Sequence, residues 1–174
     1  MPQRLTVTLL RAIVANDLPF VLATRKYLGE LILACYHDRP DALGYAEKLS
    51  TASAELLENA IKYSPPGTDL VVRLTKTAGE LQLQVGNAIR DEGRAVLASI
   101  RREIGAVWAE RDAREAFKKK VMASLADPKA KAMLGYAKIR METGGRLRAR
   151  LASRGRLDVT LTFPLEPPSP EKRG

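Results

Sequence analysis

The chain has 174 residues, of which 45% are hydrophobic and 28% charged, and its formal net charge at pH 7 is +9. This composition excludes a disordered chain and predicts a single domain with a hydrophobic core. One cysteine excludes an intramolecular disulfide. The first residues do not read as a signal peptide, and no apolar run approaches the ~20 residues of a membrane-spanning helix, so we expect a cytoplasmic protein. The basic charge is compatible with nucleic acid, an anionic membrane or a phosphorylated ligand, and equally with a solubility surface.

The first half of the chain predicts one strand and two helices. Thr, Val and Leu alternate over 4–13, which indicates a short strand. Apolar residues recur at helical spacing over 17–36. A longer helix follows from about 40 to 64, where the sequence Pro-Pro-Gly ends it. Asp38 is a candidate N-cap of that longer helix.

The second half predicts two hairpins separated by helices. LVVRL and LQLQV alternate with period two on either side of TKTAGE, and LRARLAS and LDVTLTF do so around SRGR. Between the hairpins, 89–126 is charged and helical, with Gly105 as the expected break between two helices. A short helix then precedes Gly144 and Gly145, which signal a C-cap.

This order of elements predicts an α+β fold. We expect a two-layer α/β sandwich in which a mixed or antiparallel sheet carries helices on one face. Neither an internal repeat nor a linker divides the sequence. We therefore predict one domain over 1–165 and a disordered, Pro-rich tail over 166–174.

The stretch AELLENAIKYSPPGT places four polar groups on one flank of the longer helix. Residues three, four, seven and eight apart share a helix face, which groups Glu55, Asn59, Lys62 and Tyr63 opposite an apolar stripe. A carboxylate can deprotonate a hydroxyl, an amide oxygen can ligate Mg²⁺, and a lysine can contact phosphates. A tyrosine ring can pack on a base. The set suggests a nucleotide-triphosphate site, and the alternative is a solvated flank held by local helix pairs.

The pattern E-x-x-x-N-A-x-K-Y-S-P-P-G closely resembles the N-box of the GHKL, or Bergerat, ATP-binding domain. Sensor histidine kinases, anti-sigma-factor serine kinases, gyrase-type ATPases and heat-shock-chaperone ATPases share that domain. The run LGYAKIRMETGGRLRARLASRGRLDVTLTFPL resembles its end, where a Gly-rich G2 segment opens a short helix and a hairpin follows. The resemblance covers residues 40 to 165, except that a charged helical insertion over 90–126 replaces the flexible ATP lid.

The resemblance implies ATP and Mg²⁺ as cofactors and a role for each matching residue. Glu55 matches the general base of the serine kinases and ATPases, and Asn59 matches the Mg²⁺ ligand. Lys62 and Tyr63 match positions near the phosphates and near the adenine or ribose. Gly135 would let the backbone approach the phosphates at a helix N-terminus.

Two boxes depart from the family pattern. The G1 box, which is D-x-G-x-G after a strand, is here Gly-Asn-Ala-Ile at 86–89, so Asn87 stands where an Asp receives the adenine amino group. Its carbonyl can still accept from that group, but the following glycines are missing. The G2 segment keeps Gly135, with Met133 where a glycine is common.

On this resemblance we expect a stand-alone ATP-binding regulatory protein of bacterial signal transduction. The more specific expectation is a protein serine/threonine kinase acting on a switch partner, either an anti-sigma-factor antagonist or a receiver-type protein. His37, the only histidine, lacks the context of a phosphoacceptor, so a conventional autophosphorylating histidine kinase is not expected. A catalytically inactive adapter of the same fold is the first alternative, and a nucleic-acid-binding module is the second.

The segment 91–126 mixes basic and acidic residues, which favours a solvated face over a nucleic-acid surface. Its apolar stripe, with Trp108 and Phe117, could cover the nucleotide cleft, pack on the sheet or form a homodimer, and we expect a dimer or partner contact. Three arginines alternate on one face of a later strand, where phosphates, an acidic partner or solvent could meet them. They are Arg146, Arg148 and Arg150.

Overall fold

The computed structural model of the chain describes residues 5–12, 17–77, 79–89, 93–126, 134–152 and 155–165. Met133 and the predicted disordered tail lie outside these residues. The described elements, in chain order, are β1 Leu5–Ala12, α1 Leu18–Cys35, α2 Ala42–Tyr63, β2 Asp69–Lys76, β3 Glu80–Ala88, α3 Gly93–Ala109, α4 Ala113–Ala126, α5 Leu134–Thr143, β4 Arg146–Ala152 and β5 Arg156–Pro164. Within the described residues, no helix is long and apolar enough to cross a membrane.

The described strands form one sheet in the order β1-β2-β3-β5-β4, and every neighbouring pair in it is antiparallel. The predicted α+β sandwich is therefore confirmed, with an antiparallel rather than a mixed sheet. The connections explain this arrangement. β2–β3 and β4–β5 are hairpins, and the pair α1 and α2 returns the chain to the end of the sheet at which β1 finishes.

Period-two alternation decides which face of the sheet is covered. The apolar side chains of β2, β3 and β5 point to one face and are buried, as Val72, Leu83 and Leu161 illustrate. Helices cover this face, and α2 contributes Leu49 and Leu57, which are fully buried. Thr, Gln and Arg side chains occupy the opposite face. The sheet therefore has one covered face and one polar face, as the strand patterns predict.

The helix α2 has nearly the predicted bounds, but Asp38 is not its N-cap. Asp41 precedes the helix and makes no capping hydrogen bond to it. Instead, Arg39 donates to the Asp41 carboxylate from Nε and Nη2, at 2.7 and 2.6 Å. The hydrogen bond from Arg39 is the main cause that lowers the pKa of Asp41. Arg39 therefore binds the carboxylate of Asp41, the residue at the N-cap position of α2.

The predicted helical insertion consists of α3 and α4, and the break between them is not at Gly105. Gly105 lies inside α3, at an exposed position where a side chain would meet nothing within 4 Å, so it does not interrupt the helix. The break precedes α4, where Asp112 Oδ1 accepts hydrogen bonds from the backbone N–H groups of Glu115 and Arg114. These two bonds cap α4 and lower the pKa of Asp112.

The apolar stripe of α3 packs on its own domain. Ile100, Ile104 and Val107 are buried, and Trp108 Nε1 donates to the Gly145 carbonyl at 3.2 Å. The helix contacts β4 and α5. The α3 part of this stripe therefore packs on its own domain, and the dimer or partner contact that we expected of 91–126 stays a prediction.

Candidate functional site

The four polar residues predicted on α2 lie along one flank of the helix in two environments. Glu55 and Asn59 are half-buried, whereas Lys62 and Tyr63 are exposed. The Lys62 ammonium lies 5.2 Å from the centre of the Tyr63 ring, so these two side chains contact each other. Glu55 and Asn59 thus form the sheltered part of the stripe.

Helix α5 lies against this flank, and Gly135 in its first turn contacts both sheltered side chains. A Cβ atom at Gly135 would lie 2.6 Å from Glu55 Oε2 and 3.4 Å from Asn59 Nδ2. Glycine at this position therefore lets the start of α5 approach α2 closely. The fold brings together three residues that the resemblance assigns to one site, although Gly135 stands 76 positions after Asn59 and 80 after Glu55 in the chain.

Lys138 is a member of this cluster that the sequence reasoning missed. Its Nζ lies 2.7 Å from Glu55 Oε1, and the two side chains are 43% and 20% exposed. The signal was available, because Gly135 and Lys138 are three residues apart and share one face of α5. If Gly135 faces the site, Lys138 is therefore expected to face it as well.

These side chains line an open depression, which we call the outer cleft, with a volume of about 280 Å³. It combines two carboxylates, two ammonium groups and one amide, since its lining is Glu55, Glu58, Asn59, Lys62, Leu134, Gly135 and Lys138. The ammonium groups can contact phosphate or carboxylate oxygens, and the Asn59 amide oxygen can ligate a hard cation. The outer cleft can therefore bind a small anion or a charged protein surface.

Asn87 is buried at the other end of the stripe and is engaged by its own chain. It lies on β3, where it pairs with Leu70 of β2 and Leu157 of β5. Its Nδ2 donates to Ser64 Oγ at 2.8 Å, and Ser64 Oγ donates in turn to the Ala60 carbonyl. Asn87 therefore fastens β3 to the end of α2. Sequence reasoning missed this role because it depends on Ser64, the residue that follows the helix.

Asn87 also lines a small space, which we call the inner cavity, with a volume of about 20 Å³. Asn59, Tyr63, Ile100 and Tyr136 are among its other walls. Tyr136 is 5% exposed, and its burial is the main cause that raises its pKa to about 12. Tyr136 of α5 and Ile100 of α3 thus line the same small space as Asn59 and Asn87.

The residues of the site fit one end of a nucleotide and not the other. The outer cleft has the donors and the room for phosphates. The inner cavity does not have the room for a base, since pockets for small-molecule ligands enclose roughly 300 Å³ or more. No group of three or more His, Cys, Asp and Glu side chains within the described ranges could hold a metal ion. A Mg²⁺ ion would therefore depend on Asn59 together with phosphate oxygens.

His37 lies away from both spaces. It is exposed just beyond α1, and its Nδ1 is 3.3 Å from the Ala34 carbonyl oxygen. The structure thus places the single histidine at a helix end.

Comparison with known proteins supports the fold alone. No family model matches the sequence, and no curated protein matches it. Among solved structures, the chain is similar to one in the crystal structure of the SiaB–SiaC complex from Pseudomonas aeruginosa, with a TM-score of 0.62 and 19% identity. The match covers 91% of this chain and 89% of that chain. The shared fold therefore extends over nearly the whole length of both chains.

Proposed function

We propose that the chain is a regulatory protein of bacterial signal transduction that works by binding a partner protein. The observation that carries this proposal is the match of its fold, over 91% of the chain, to a chain from a complex of SiaB with SiaC. The outer cleft supports it, because its charged side chains stand on two packed helices. Such a surface can select a partner of complementary charge without reorganising.

The test pairs the protein with each regulatory protein encoded beside it, with receiver-type proteins and anti-sigma-factor antagonists first. Complexes are measured by light scattering after size exclusion and by calorimetry. Lys62→Glu combined with Lys138→Glu reverses the cations of the outer cleft, and we expect it to weaken the complex about tenfold or more. The matched control is Lys26→Glu with Arg102→Glu, which changes net charge equally at exposed positions of α1 and α3. Equal loss in both double variants would remove the cleft from the proposal, and no complex with any neighbour would remove the proposal itself.

The second candidate is a kinase that uses Mg²⁺-ATP to phosphorylate a serine or threonine of that partner. It is favoured by the convergence of Glu55, Asn59 and Gly135 at one cleft, where Glu55 would be the general base and Asn59 the Mg²⁺ ligand. The small volume of the inner cavity, about 20 Å³, counts against it, because a base would need more room than Tyr136 and Ile100 leave there. An adapter without catalysis is therefore the simpler form of the proposal.

Calorimetric titration with Mg²⁺-ATP distinguishes the two forms. The kinase candidate predicts binding that Asn59→Ala weakens and transfer of labelled phosphate to a partner that Glu55→Gln abolishes. The adapter predicts neither heat nor transfer, with the partner complex intact in both variants. Binding that is equal in wild type and Asn59→Ala would remove Asn59 from any nucleotide role.

A further inference from the structure

The polar face of the sheet, which the helices leave uncovered, is strongly basic on its β4 side. Arg146, Arg148 and Arg150 alternate along β4, so all three side chains stand on this face, and all three are exposed. Each pairs with a β5 residue on the same face, namely Thr162, Thr160 and Asp158 in that order. These three arginines and Arg156 of β5 form a surface that we call the arginine face.

A buried carboxylate holds two of these arginines in place. Asp158 is 0% exposed, and its Oδ1 accepts a hydrogen bond from Arg156 Nε at 2.8 Å. Its Oδ2 lies 3.4 Å from Arg150 Nη2. Gly86 on the neighbouring strand leaves room for this group, since a Cβ atom there would lie 2.5 Å from Asp158 Oδ1 and 3.1 Å from Arg156 Nε. A guanidinium group carries five N–H donors, so Arg150 and Arg156 keep donors for a ligand.

The other two arginines of this surface have no ion pair within the part of the chain that the structure describes. Arg146 and Arg148 stand beside threonines rather than acids. Apart from Asp158, the acidic residues that the strands place on the polar face are Asp69 and Glu80, at the first positions of β2 and β3. Four arginines and one aspartate therefore give the arginine face a net charge of +3.

A depression beside β4 continues this surface around the edge of the sheet. Arg101 of α3 lies there, and its Nε donates to the Ala149 carbonyl at 3.1 Å. Arg101 and Arg148 border the depression together with Ile104 and Leu147, and its volume is about 270 Å³. Because Arg101 occupies a β4 carbonyl, a further strand is not expected to pair at this edge. A side chain that enters the depression would meet two guanidinium groups and two apolar side chains.

The chemistry of the surface indicates an acidic protein partner. Arginine matches carboxylates in a bidentate geometry and is enriched at protein interfaces. Nucleic-acid phosphates would also be attracted, but protein sites for single strands add aromatic rings on which the bases stack. The one aromatic residue of the described strands, Phe163, is buried on the covered face. The arginine face therefore has the cations for an anionic partner and lacks the rings for bases.

We propose that the arginine face binds an acidic surface of a second protein. Asp158 positions Arg150 and Arg156 before the partner arrives, which lowers the cost of ordering these side chains on binding. The surface lies on the opposite side of the sheet from α2 and α5, which carry the outer cleft. Binding at one surface therefore does not block the other, and this proposal does not rest on the function proposed for the outer cleft.

Acidic and nucleic-acid probes test the arginine face. Fluorescence anisotropy with a labelled polyglutamate peptide should show saturable binding to the wild type at low salt. Arg146→Gln combined with Arg148→Gln removes two cations and should raise the dissociation constant about tenfold or more. The matched control, Arg25→Gln with Arg114→Gln, removes the same charge from exposed positions of α1 and α4. It should leave the dissociation constant within about twofold of the wild type.

Three results would overturn the proposal. The first is the absence of polyglutamate binding to the wild type at low salt. The second is an equal loss in the two double variants, which would reduce the attraction to net charge alone. The third is tighter binding of a labelled RNA strand or DNA duplex than of polyglutamate, lost in Arg146→Gln with Arg148→Gln, which would make the surface a nucleic-acid site. Circular dichroism checks that each variant is folded. The outer cleft is tested with its own variants, so failure here leaves the function proposed for it standing.

Discussion

The two ends of the polar stripe on α2 differ in the space around them. At the outer cleft, Glu55, Gly135 and Lys138 border an opening of about 280 Å³, whereas Asn87 and Tyr136 leave about 20 Å³ at the inner cavity. Residues from one N-box-like stretch line both spaces. The difference shows that one stretch of polar residues can border a large space at one end and a very small one at the other. The neighbouring elements, and not the stretch itself, determine the volume of each space.

The hydrogen bonds at the two ends differ in the same way. Asn87 donates inward to Ser64, which donates to the end of α2, and both groups are part of the domain's own structure. Glu55 and Lys138 instead form an ion pair that water reaches. We therefore expect substitutions at the inner cavity to lower stability and substitutions at the outer cleft to change binding.

The largest expected effect is that of Tyr136→Ala. Removing a buried aromatic side chain leaves a cavity, and the free energy of unfolding should fall by about 3–5 kcal/mol. Urea denaturation measured by circular dichroism gives this value. If the fall is accompanied by new binding of Mg²⁺-ATP, Tyr136 is what excludes the base.

Tyr136→Phe is the matched control for that variant. It keeps the ring and should change the free energy of unfolding by no more than about 1.5 kcal/mol. A loss below about 1 kcal/mol in Tyr136→Ala would mean that the ring contributes little to the packing around the inner cavity, and the contrast between the two ends would disappear.

The second effect is a loss of stability at alkaline pH. The pKa of Tyr136 rises from its ordinary value of 10.0 to about 12 in the folded chain, mainly through burial. Above the unfolded pKa the unfolded chain releases this proton and the folded chain does not. The contribution is therefore complete below pH 10 and is lost as pH rises through 12, and a shift of that size corresponds to about 2–3 kcal/mol.

Urea midpoints measured across that pH range for the wild type and Tyr136→Phe check this prediction. Between pH 10 and 12, Tyr136→Phe should lose less stability than the wild type. Some loss should remain, because burial also raises the pKa of Tyr36 to about 12. Parallel loss in both proteins would show that Tyr136 ionises equally in the folded and unfolded states.

A third test compares the two asparagines of the stripe. Asn87→Ala removes the donor to Ser64 at a position that is 3% exposed, and the free energy of unfolding should fall by about 1–3 kcal/mol. Asn59→Ala, at the half-buried outer position, should change it by about 0.5 kcal/mol or less. Thermal and urea denaturation of both variants measure the difference. Equal losses would mean that Asn59 is as structural as Asn87.

Patterns within single elements were enough to predict most of the fold. The helical spacing and the Pro-Pro-Gly stop locate α2, and period-two alternation locates both hairpins and the covered face. The predicted helix break at Gly105 was wrong because an exposed glycine can stand inside a helix. The break precedes α4, where Asp112 caps the helix. The predicted N-cap at Asp38 was also wrong, because the helix begins after Asp41. Arg39 binds the Asp41 carboxylate there.

The site was harder to predict than the fold because its limits are tertiary. The N-box pattern locates Glu55 and Asn59, and the G2-like segment locates Gly135. Nothing in either pattern reveals that the next residue, Tyr136, turns into the space beside Asn87, since that depends on how α3 and α5 pack together. Local sequence patterns therefore predict the polar side chains of a site better than they predict the volume of the space beside them.

A small effect on stability is also expected of Lys138→Met, which removes one positive charge at the outer cleft and keeps a side chain of similar length. The pair with Glu55 is partly exposed, so its loss should cost about 1 kcal/mol or less. Binding of the partner should change more than stability, because Glu55 is then left without its cation. Lys118→Met on α4 is the control for loss of an exposed lysine. A stability loss above about 2 kcal/mol, cancelled in the double variant with Glu55→Gln, would make the ion pair a structural element like Asn87 and Ser64. The proposal that the outer cleft is the functional end of the stripe would then be wrong.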